Sequence, residues 1–506
     1  MSLAIVRTRA IYALDAPSVT VEVHLSNGLP AFNLVGLPET AVRESRDRVR
    51  SAIINSRFEF PAKRITVNLA PADLPKEGGR FDLAIALGIL AASKQIPAKA
   101  LEAYEFLGEL ALTGELRPVR GVISAALLCQ KEQRTLIVPH ANGEEACLAI
   151  GDNHRIAKQL IDVCAHVAGK GELAAMQEID FVSLANPAAT FPDMADIQGQ
   201  QQARHALEIA AAGGHNILYE GPPGCGKSML AQRLPGILPA LERSDALTLL
   251  AIQSLSLIYS PRFDLQRPFR APHHSSTSAA LVGGGNPPRP GEISLAHKGV
   301  LFLDELPEFQ RSVLEALREP LETRHICISR AGRQATFPAD FQLIAAMNPC
   351  PCGHAGSPSD LCNCTPDNIR RYRRKISGPL LDRIDMHLIL QPTSLNLITS
   401  KQSQPGESSD SVRQRVQHAR DKQIARQGVC NAALNGHDLH DIVVLDNNSQ
   451  QLLQRLAEKM QLSARAVQRV IRVARTIADL QCSDTVSQQH ISEAYSYRQN
   501  VSSEWG

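Results

Sequence analysis

The chain has 506 residues, of which 44% are apolar, so it is long enough for about three domains with ordinary hydrophobic cores. Its 53 Lys and Arg residues nearly balance its 51 Asp and Glu residues, and the net charge of +2 excludes a surface that is basic throughout. Because no run of about 18 apolar residues and no signal-peptide core are present, we expect a cytoplasmic protein without a membrane segment. Eleven cysteines in such a chain argue against structural disulfides.

The N-terminal third has the pattern of an α/β domain. Residues 19–25 and 64–69 alternate apolar and polar side chains with the period of a β-strand. Residues 39–56 predict a charged helix and residues 81–90 a buried one. We expect this domain to cover residues 1–168, and a linker with glycine and proline to follow over residues 169–192.

The most informative motif is a phosphate-binding loop that fits G-x-x-x-x-G-K-[ST] at every fixed position. A short apolar strand precedes it and a helical segment follows it, as the motif requires. Backbone N–H groups of such a loop, together with the helix N-terminus, bind phosphate oxygens, while Lys227 reaches the β- and γ-phosphates and Ser228 binds Mg²⁺. The loop therefore predicts ATP and Mg²⁺ as ligands of Gly221, Pro222, Pro223, Gly224, Cys225, Gly226, Lys227 and Ser228.

Two later strands end in polar residues that suit ATP hydrolysis. The apolar residues 299–303 lead into Asp304, which would orient Mg²⁺, and Glu305, which would polarise the attacking water. Residues 341–347 lead into Asn348, which could hydrogen-bond the γ-phosphate or that water. The alternative for Asn348 is a turn residue before a proline.

A β-hairpin is predicted between these two strands. Residues 326–328 and 335–337 have strand character, and Arg330 and Arg333 lie between them. The two arginines are candidates for contacts to DNA, and a solvent-exposed hairpin end is the alternative interpretation.

Four cysteines form the pattern C-x-C-x₉-C-x-C, and four thiolates can hold a tetrahedral Zn²⁺. The spacing is tighter than usual, so reduced thiols or redox-active pairs remain alternatives, and His354 could replace one sulfur. His273 and His274 are adjacent on an extended segment and point to opposite sides, so we interpret them as structural residues or as contacts of the insert. The four cysteines are Cys350, Cys352, Cys362 and Cys364.

A basic run follows the last of these cysteines. Five positive charges surround one tyrosine, a combination that suits contacts to phosphates and stacking on bases. A solvated helix face is the alternative. The residues are Arg370, Arg371, Arg373, Arg374 and Lys375.

The order of these motifs, followed by Leu380-Leu381-Asp382-Arg383, resembles the AAA+ ATPases of the helix-2-insert clade, which contains magnesium chelatase subunits and MCM helicases. The resemblance implies an ATPase domain over residues 193–395, a linker over 396–411 and a helical lid over 412–506. It also implies that Arg383 is an arginine finger acting on the neighbouring subunit's nucleotide, and that Arg465 in the lid senses nucleotide in its own subunit. The alternative for Arg383 is a surface ion pair with a neighbouring aspartate.

Four further segments narrow the resemblance to the Mg-chelatase-like family that includes bacterial competence proteins. They are residues 270–274, 283–286, 290–297 and 348–353, in that order, and the likeness spans nearly the whole chain. It implies a homohexameric DNA translocase in which ATP hydrolysis drives branch migration during natural transformation, with the arginine hairpin facing a central pore. The alternative is a chelatase-type motor that remodels a metal-insertion partner, and stimulation of the ATPase by DNA separates the two.

The N-terminal domain resembles the Lon protease catalytic domain, an α/β fold of the ribosomal S5 domain 2 type, over residues 65–90 and 107–139. Arg80 stands where Lon has its serine nucleophile, and Ile123 stands where it has its lysine. Serine–lysine proteolysis needs a hydroxyl and an amine that deprotonates it. We therefore expect no peptidase activity and a role in ring assembly or DNA contact.

Overall fold

The computed structural model describes residues 2–36, 44–177, 191–256, 266–285, 288–330, 333–356, 361–391, 406–460 and 462–498. The chain divides into two compact units, residues 1–184 with 243–264, and residues 185–242 with 265–506. Most of each predicted linker lies outside the described residues, namely 178–190 of the first and 396–405 of the second. Within the described ranges, no helix combines the length and the apolar composition that crossing a membrane requires.

The elements alternate between strands and helices along most of the chain. The strands are β1 Ser2–Arg9, β2 Ser18–Ser26, β3 Ala31–Val35, β4 Arg64–Ala70, β5 Tyr104–Phe106, β6 Glu109–Leu110, β7 Leu116–Arg117, β8 Thr135–Pro139, β9 His154–Ala157, β10 Ile217–Glu220, β11 Phe269–Arg270, β12 Gly283–Gly284, β13 Arg289–Pro290, β14 Val300–Leu303, β15 His325–Arg330, β16 Arg333–Pro338, β17 Gln342–Met347 and β18 Met386–Ile389. The helices are α1 Ser45–Asn55, α2 Asp82–Ala92, α3 Val122–Lys131, α4 Gly143–Ile150, α5 Leu160–Val167, α6 Gln201–Gly213, α7 Lys227–Ile237, α8 Arg243–Ser256, α9 Ser278–Val282, α10 Glu292–Leu295, α11 Arg311–Ala316, α12 Arg318–Thr323, α13 Pro366–Arg373, α14 Gly378–Leu381, α15 Ser409–Gln427, α16 Gly436–Ile442, α17 Asn447–Lys459, α18 Ala464–Leu480 and α19 Gln488–Ser496.

The first unit is built on a four-stranded sheet in the order β1-β2-β4-β3, with β3 parallel to β4 and the other pairs antiparallel. Every second residue of β2 is buried, which confirms the predicted alternation. Helix α2 is hydrophobic on all sides, and this agrees with its position, because it is buried along its whole length and packs against β1 and β2. A second, parallel sheet has the order β5-β8-β9.

Helix α8 belongs to the first unit, although the sequence interpretation placed its residues inside the ATPase domain of residues 193–395. It packs against α3, and the Ser254 hydroxyl accepts a hydrogen bond of 2.8 Å from the backbone N–H of Gly121. The side chain of Ser254 also bonds the buried Glu145. Sequence pattern alone cannot assign such a helix, because its apolar face fits a distant part of the chain as well as the neighbouring one.

The second unit contains a five-stranded parallel sheet in the order β11-β14-β17-β10-β18. Strands β14 and β17 are buried at every position, as expected for a parallel sheet covered on both faces. Parallel pairing gathers the carboxyl ends of β10, β14 and β17 at one edge, the place where open α/β sheets bind ligands.

The helices that follow residue 406 share the core of the second unit. Helix α15 packs against α6 and α7, and α18 packs against α6 and α19. Buried apolar side chains of α15 and α18 join the same hydrophobic cluster as strand β10. A buried ionic network reinforces the contact, since Asp479 accepts hydrogen bonds from Arg426 and Arg475 at 2.7 and 2.9 Å.

A buried carboxylate joins helices α1 and α2 in the first unit. Arg48 donates to Asp82 through Nε at 2.7 Å and Nη2 at 3.2 Å, and the backbone N–H of Leu110 donates to the same carboxylate at 3.3 Å. Burial raises the pKa of Asp82 to about 6, and the Arg48 guanidinium opposes that rise. Asp82 therefore depends on Arg48 for compensation of its charge.

We expect Arg48→Ala to destabilise the first unit by about 3 kcal/mol, because it leaves a buried carboxylate without its cation. Chemical unfolding followed by fluorescence and by protease susceptibility measures the change. The matched control is Arg46→Ala on the same helix, whose ion pair with Asp47 is exposed and whose loss costs less than about 0.5 kcal/mol. Equal stability of the two variants would show that the Arg48 pair contributes nothing.

Candidate nucleotide-binding site

The phosphate-binding loop joins β10 to the first turn of α7, as its motif predicts. Gly224 and Gly226 have φ of 78° and 92°, a left-handed conformation that favours glycine. A side chain on Gly221 would approach the Leu390 carbonyl oxygen to 2.7 Å. The loop therefore requires glycine for its conformation, and it ends at a helix N-terminus whose free N–H groups attract anions.

Lys227 is buried at the centre of this loop. Its Nζ donates to the carbonyl oxygens of Gly221 and Pro222 at 2.6 and 3.0 Å, and to Oδ1 of Asn348 at 3.0 Å. Asn348 follows β17, which pairs directly with β10. The sheet thus places the predicted asparagine beside the predicted lysine.

Ser228 and Asp304 also meet at this edge of the sheet. The Ser228 hydroxyl donates to Oδ2 of Asp304 at 2.9 Å, and the backbone N–H of Glu305 donates to Oδ1 of the same carboxylate at 2.9 Å. A hydroxyl and a carboxylate in contact are the hard oxygen ligands that Mg²⁺ takes in phosphate-binding sites. These two residues therefore fit the cation that the motif implies.

Glu305 has a backbone φ of 52°, an uncommon conformation for a residue with a side chain. Its Oε2 lies 3.1 Å from Nδ1 of His274, and both side chains are partly exposed. The sequence interpretation made His274 a structural or insert-contact residue, so its contact with Glu305 is a site feature that sequence reasoning missed. The available signal was its position just beyond β11, because β11 pairs with β14 and the ends of paired parallel strands meet.

Arg383 lies at the opposite edge of the sheet. Its backbone oxygen accepts from Nδ2 of Asn216 at 3.4 Å, and Asp385 accepts from the backbone N–H of Asn216 at 2.9 Å. Asn216 directly precedes β10, whereas the phosphate-binding loop directly follows it. The whole strand therefore separates Arg383 from the loop of its own chain.

Two arginines share one carboxylate at this second edge. Nη2 of Arg383 donates to Glu322 at 2.5 Å, and Nη1 of Arg465 lies 3.8 Å from the same oxygen. The Arg383 pairing lowers the pKa of Glu322. Arg383 is buried, whereas the Arg465 side chain is 69% exposed. Arg465 thus lies at the surface beside Glu322, the carboxylate that Arg383 also contacts.

The four clustered cysteines come together in space. Their sulfur atoms lie within 4.8 Å of one another, and Sγ of Cys350 is 3.3 Å from that of Cys352 and 3.8 Å from that of Cys362. The fourth member is Cys364, and residues 357–360 of the intervening segment lie outside the described ranges. Four thiols within this distance fit the donor set of a tetrahedral Zn²⁺ site.

The basic run forms helix α13 and the turn after it, and its five cations have different surroundings. Arg373 is paired with Glu220 at 2.8 Å and its side chain is largely buried. It therefore does not lie on the exposed face that the predicted contact to DNA requires. Arg370 pairs with Asp367 and Lys375 with Glu308. Arg371 and Arg374 are exposed, and neither has an acidic partner among the residues that the structure describes.

The predicted hairpin is present as the antiparallel pair β15 and β16. Arg330 and Arg333 pair at its end, and residues 331 and 332 between them lie outside the described ranges. Helix α12, which carries Glu322, directly precedes the hairpin. Only two residues therefore separate Glu322, the carboxylate that Arg383 and Arg465 share, from the first strand of the hairpin.

Neither Lon-type catalytic group is found at the matched positions of the first unit. Arg80 is buried, and its three side-chain nitrogens have no hydrogen-bond partner among the described residues. Burial lowers the pKa of Arg80 to about 9, and Glu145 opposes the change. Ile123 is buried on α3.

Comparison with known families matches three parts of the chain to models of one protein. Residues 193–397 match magnesium chelatase subunit ChlI, residues 21–142 match subunit ChlI of Mg-chelatase, and residues 406–498 match the C-terminal part of magnesium chelatase subunit ChlI.

Relatives of full length are also similar. The competence protein ComM of Haemophilus influenzae is 50% identical over 99% of this chain and 98% of its own length. YifB of Escherichia coli is 52% identical over 98% of this chain and 97% of its own. The DNA replication licensing factor Mcm6 of Anopheles gambiae is 23% identical over 40% of this chain and 25% of its own. The chain belongs to the Mg-chelatase-like AAA+ ATPase family that contains ComM and YifB.

Proposed function

We propose that this protein is an ATP-driven DNA translocase that assembles as a homohexameric ring and promotes branch migration in recombination during natural transformation. The observation that carries the proposal is the position of two half-sites at opposite edges of one sheet. Lys227, Ser228, Asp304 and Asn348 form one half-site, and Arg383 belongs to the other.

The separation of these edges requires a second copy of the chain. Strand β10 has four residues, which span about 13 Å at the rise of a β-strand. An arginine that begins at the amino end of this strand does not reach phosphates bound beyond its carboxyl end. A head-to-tail assembly brings the arginine edge of one copy to the loop edge of the next, and such an interface closes into a ring.

The half-site at the loop performs the hydrolytic chemistry. Lys227 and the loop N–H groups hold the phosphates, and Glu305 polarises the attacking water. Mg²⁺ held by Ser228 and Asp304 would neutralise charge on the phosphate oxygens. His274 orients the Glu305 carboxylate, and Asn348 contacts the γ-phosphate or the water from the side of Lys227.

Arg465 acts together with Arg383 on the neighbour's nucleotide, since both contact Glu322. The expected role of Arg465 as a sensor of the nucleotide of its own subunit is the alternative. Helices α15–α19 serve as the lid that carries Arg465. Because α12 leads directly into the hairpin, release of Glu322 by the two arginines would pass motion to the proposed DNA contacts at Arg330 and Arg333.

Support for DNA as the partner comes from the competence protein among the relatives and from the exposed cations Arg371 and Arg374. The four thiols would hold a structural Zn²⁺ on the segment that leads into the basic run. The first unit, which lacks a serine–lysine dyad at the matched positions, would act in ring assembly or DNA contact as a Lon-like domain.

The shared nucleotide site predicts complementation between two inactive variants. Lys227→Ala destroys the loop of its own subunit, and Arg383→Ala lowers hydrolysis by its neighbour about a thousandfold. A mixture of the two contains interfaces with an intact lysine from one chain and an intact arginine from the other. We expect the mixture to hydrolyse ATP well above the sum of the separate variants in a steady-state phosphate-release assay.

The control for this experiment is a mixture of Lys227→Ala with the double variant Lys227→Ala/Arg383→Ala. No interface in that mixture has an intact loop, so it should remain inactive. If the first mixture also remains inactive while sedimentation shows mixed oligomers, Arg383 does not act between subunits.

DNA stimulation of ATP hydrolysis tests the motor against the chelatase alternative. We expect wild-type protein to move a synthetic four-way junction in the presence of ATP. Replacing Arg371 and Arg374 with Ala should leave the basal ATPase rate unchanged and reduce the slope of DNA affinity against salt concentration by about 2.

Arg455→Ala on the exposed face of α17 is the control for the loss of a surface cation elsewhere. Its DNA affinity and salt dependence should equal those of the wild type. An ATPase that DNA does not stimulate, together with an unmoved junction, would favour the chelatase-type motor.

A further inference from the structure

The thiol cluster begins immediately after a residue of the nucleotide site. Asn348, which binds the Lys227 ammonium, is followed after one residue by the fully buried Cys350. The Cys350 sulfur also accepts a hydrogen bond of 3.2 Å from the backbone N–H of Ala355. Any displacement of Cys350 therefore displaces the backbone that positions Asn348.

The loop between the cysteines also packs on the phosphate-binding loop. Gly353 has a φ of 85°, and a Cβ there would lie 2.8 Å from Cδ of Pro223 and 3.9 Å from Cγ of Asn348. Pro223 is part of the phosphate-binding loop. The thiol loop and the phosphate loop are thus in contact at a position where only glycine fits.

The other end of the cluster returns to the same site through helix α13. Thr365, directly after Cys364, caps this helix by accepting a hydrogen bond from the backbone N–H of Asn368. The hydroxyl of Tyr372 is hydrogen-bonded with the backbone of Asn348, and Arg373 pairs with Glu220 at the end of β10. Both arms that leave the cluster are therefore anchored beside the phosphate loop.

We propose that a thiophilic divalent cation, Zn²⁺ by its donor set, clasps these two arms and thereby positions Asn348 and Pro223 for ATP. The metal site controls nucleotide binding without touching the nucleotide. The inference rests on the proposed ATPase function. The clasp also joins the exposed cations of α13 to the phosphate site, so contact of DNA with Arg371 and Arg374 is transmitted to Asn348 through Tyr372.

The test uses the full chain loaded with Co²⁺, whose thiolate charge-transfer absorption reports tetrahedral sulfur coordination independently of activity. Cys352→Ser removes one ligand, and Gly353→Ala keeps all four ligands but forces the thiol loop away from Pro223. Cys482→Ser is the matched control at an exposed cysteine outside the cluster. KM and kcat for ATP and the affinity for a fluorescent ATP analogue are measured for each protein.

We expect Cys352→Ser to lose the cobalt absorption and to raise KM for ATP about tenfold, the lower end of what loss of an orienting partner costs. Gly353→Ala should raise KM similarly while keeping the absorption. Cys482→Ser should match the wild type in both. A fold that was merely destabilised would lower the active fraction and hence kcat, and would leave KM unchanged.

The proposal is wrong if the wild type takes up no cobalt at the thiols. It is also wrong if Cys352→Ser loses the absorption while KM and analogue affinity equal those of the wild type. A wild type that binds the analogue but does not hydrolyse ATP contradicts the proposed function instead, and the analogue affinities of the variants then still decide the clasp.

Discussion

The parallel register of β10, β17 and β14 is the constraint on which the nucleotide site depends. It brings Asn348 to Lys227, 121 positions away, and Asp304 to Ser228, 76 positions away. Each of these contacts is a hydrogen bond of 2.9 to 3.0 Å. The first joins residues that follow the paired strands β10 and β17, and the second spans β17, which lies between β10 and β14. Because hydrogen bonds weaken steeply with distance and angle, a shift of one strand by one residue would break them. The packing of the buried strands therefore determines which polar side chains meet at the carboxyl end of the sheet.

The same sheet is also the basis of the proposed action between subunits. The carboxyl ends of the parallel strands carry the phosphate-binding loop, whereas Arg383 lies near the amino end of β10. In the proposed assembly this arginine therefore serves the nucleotide of another copy. Glu322 holds Arg383 and Arg465 together at that end and compensates part of their charge in the single chain. In the proposed ring, a neighbour's triphosphate, with more negative charge than one carboxylate, would compete with Glu322 for both arginines.

The thiol cluster adds a second connection to the phosphate loop. In the proposed mechanism, the residues that surround the nucleotide are positioned from behind by a loop that a metal would close. The segment between Cys350 and Tyr372 contains the candidate metal ligands and contacts Asn348 of the nucleotide site, and it leads into an exposed basic face. In that proposal a bound metal, rather than a large hydrophobic core, would make the loop rigid.

Much of the candidate site could be predicted from the sequence. The phosphate-binding loop, the acidic pair at the end of an apolar strand and the cysteine spacing are local patterns, and the chemistry of each pattern requires those residue types. The family resemblance extended the same reasoning to Arg383. The alternating strands and the buried helix of the first unit were also predictable, because burial on one face or on all sides leaves a periodic signature.

The amino-acid sequence by itself determined which groups can bind phosphate, magnesium and a thiophilic metal, since that capacity is a property of side chains in short motifs. Only the tertiary structure decided which of them meet. In the folded chain, His274 contacts Glu305 and Arg373 pairs with the partly buried Glu220. Arg465 shares Glu322 with Arg383, and helix α8 belongs to the first unit. These are contacts between segments far apart in the chain, and their geometry follows from strand order and packing, which local periodicity does not encode.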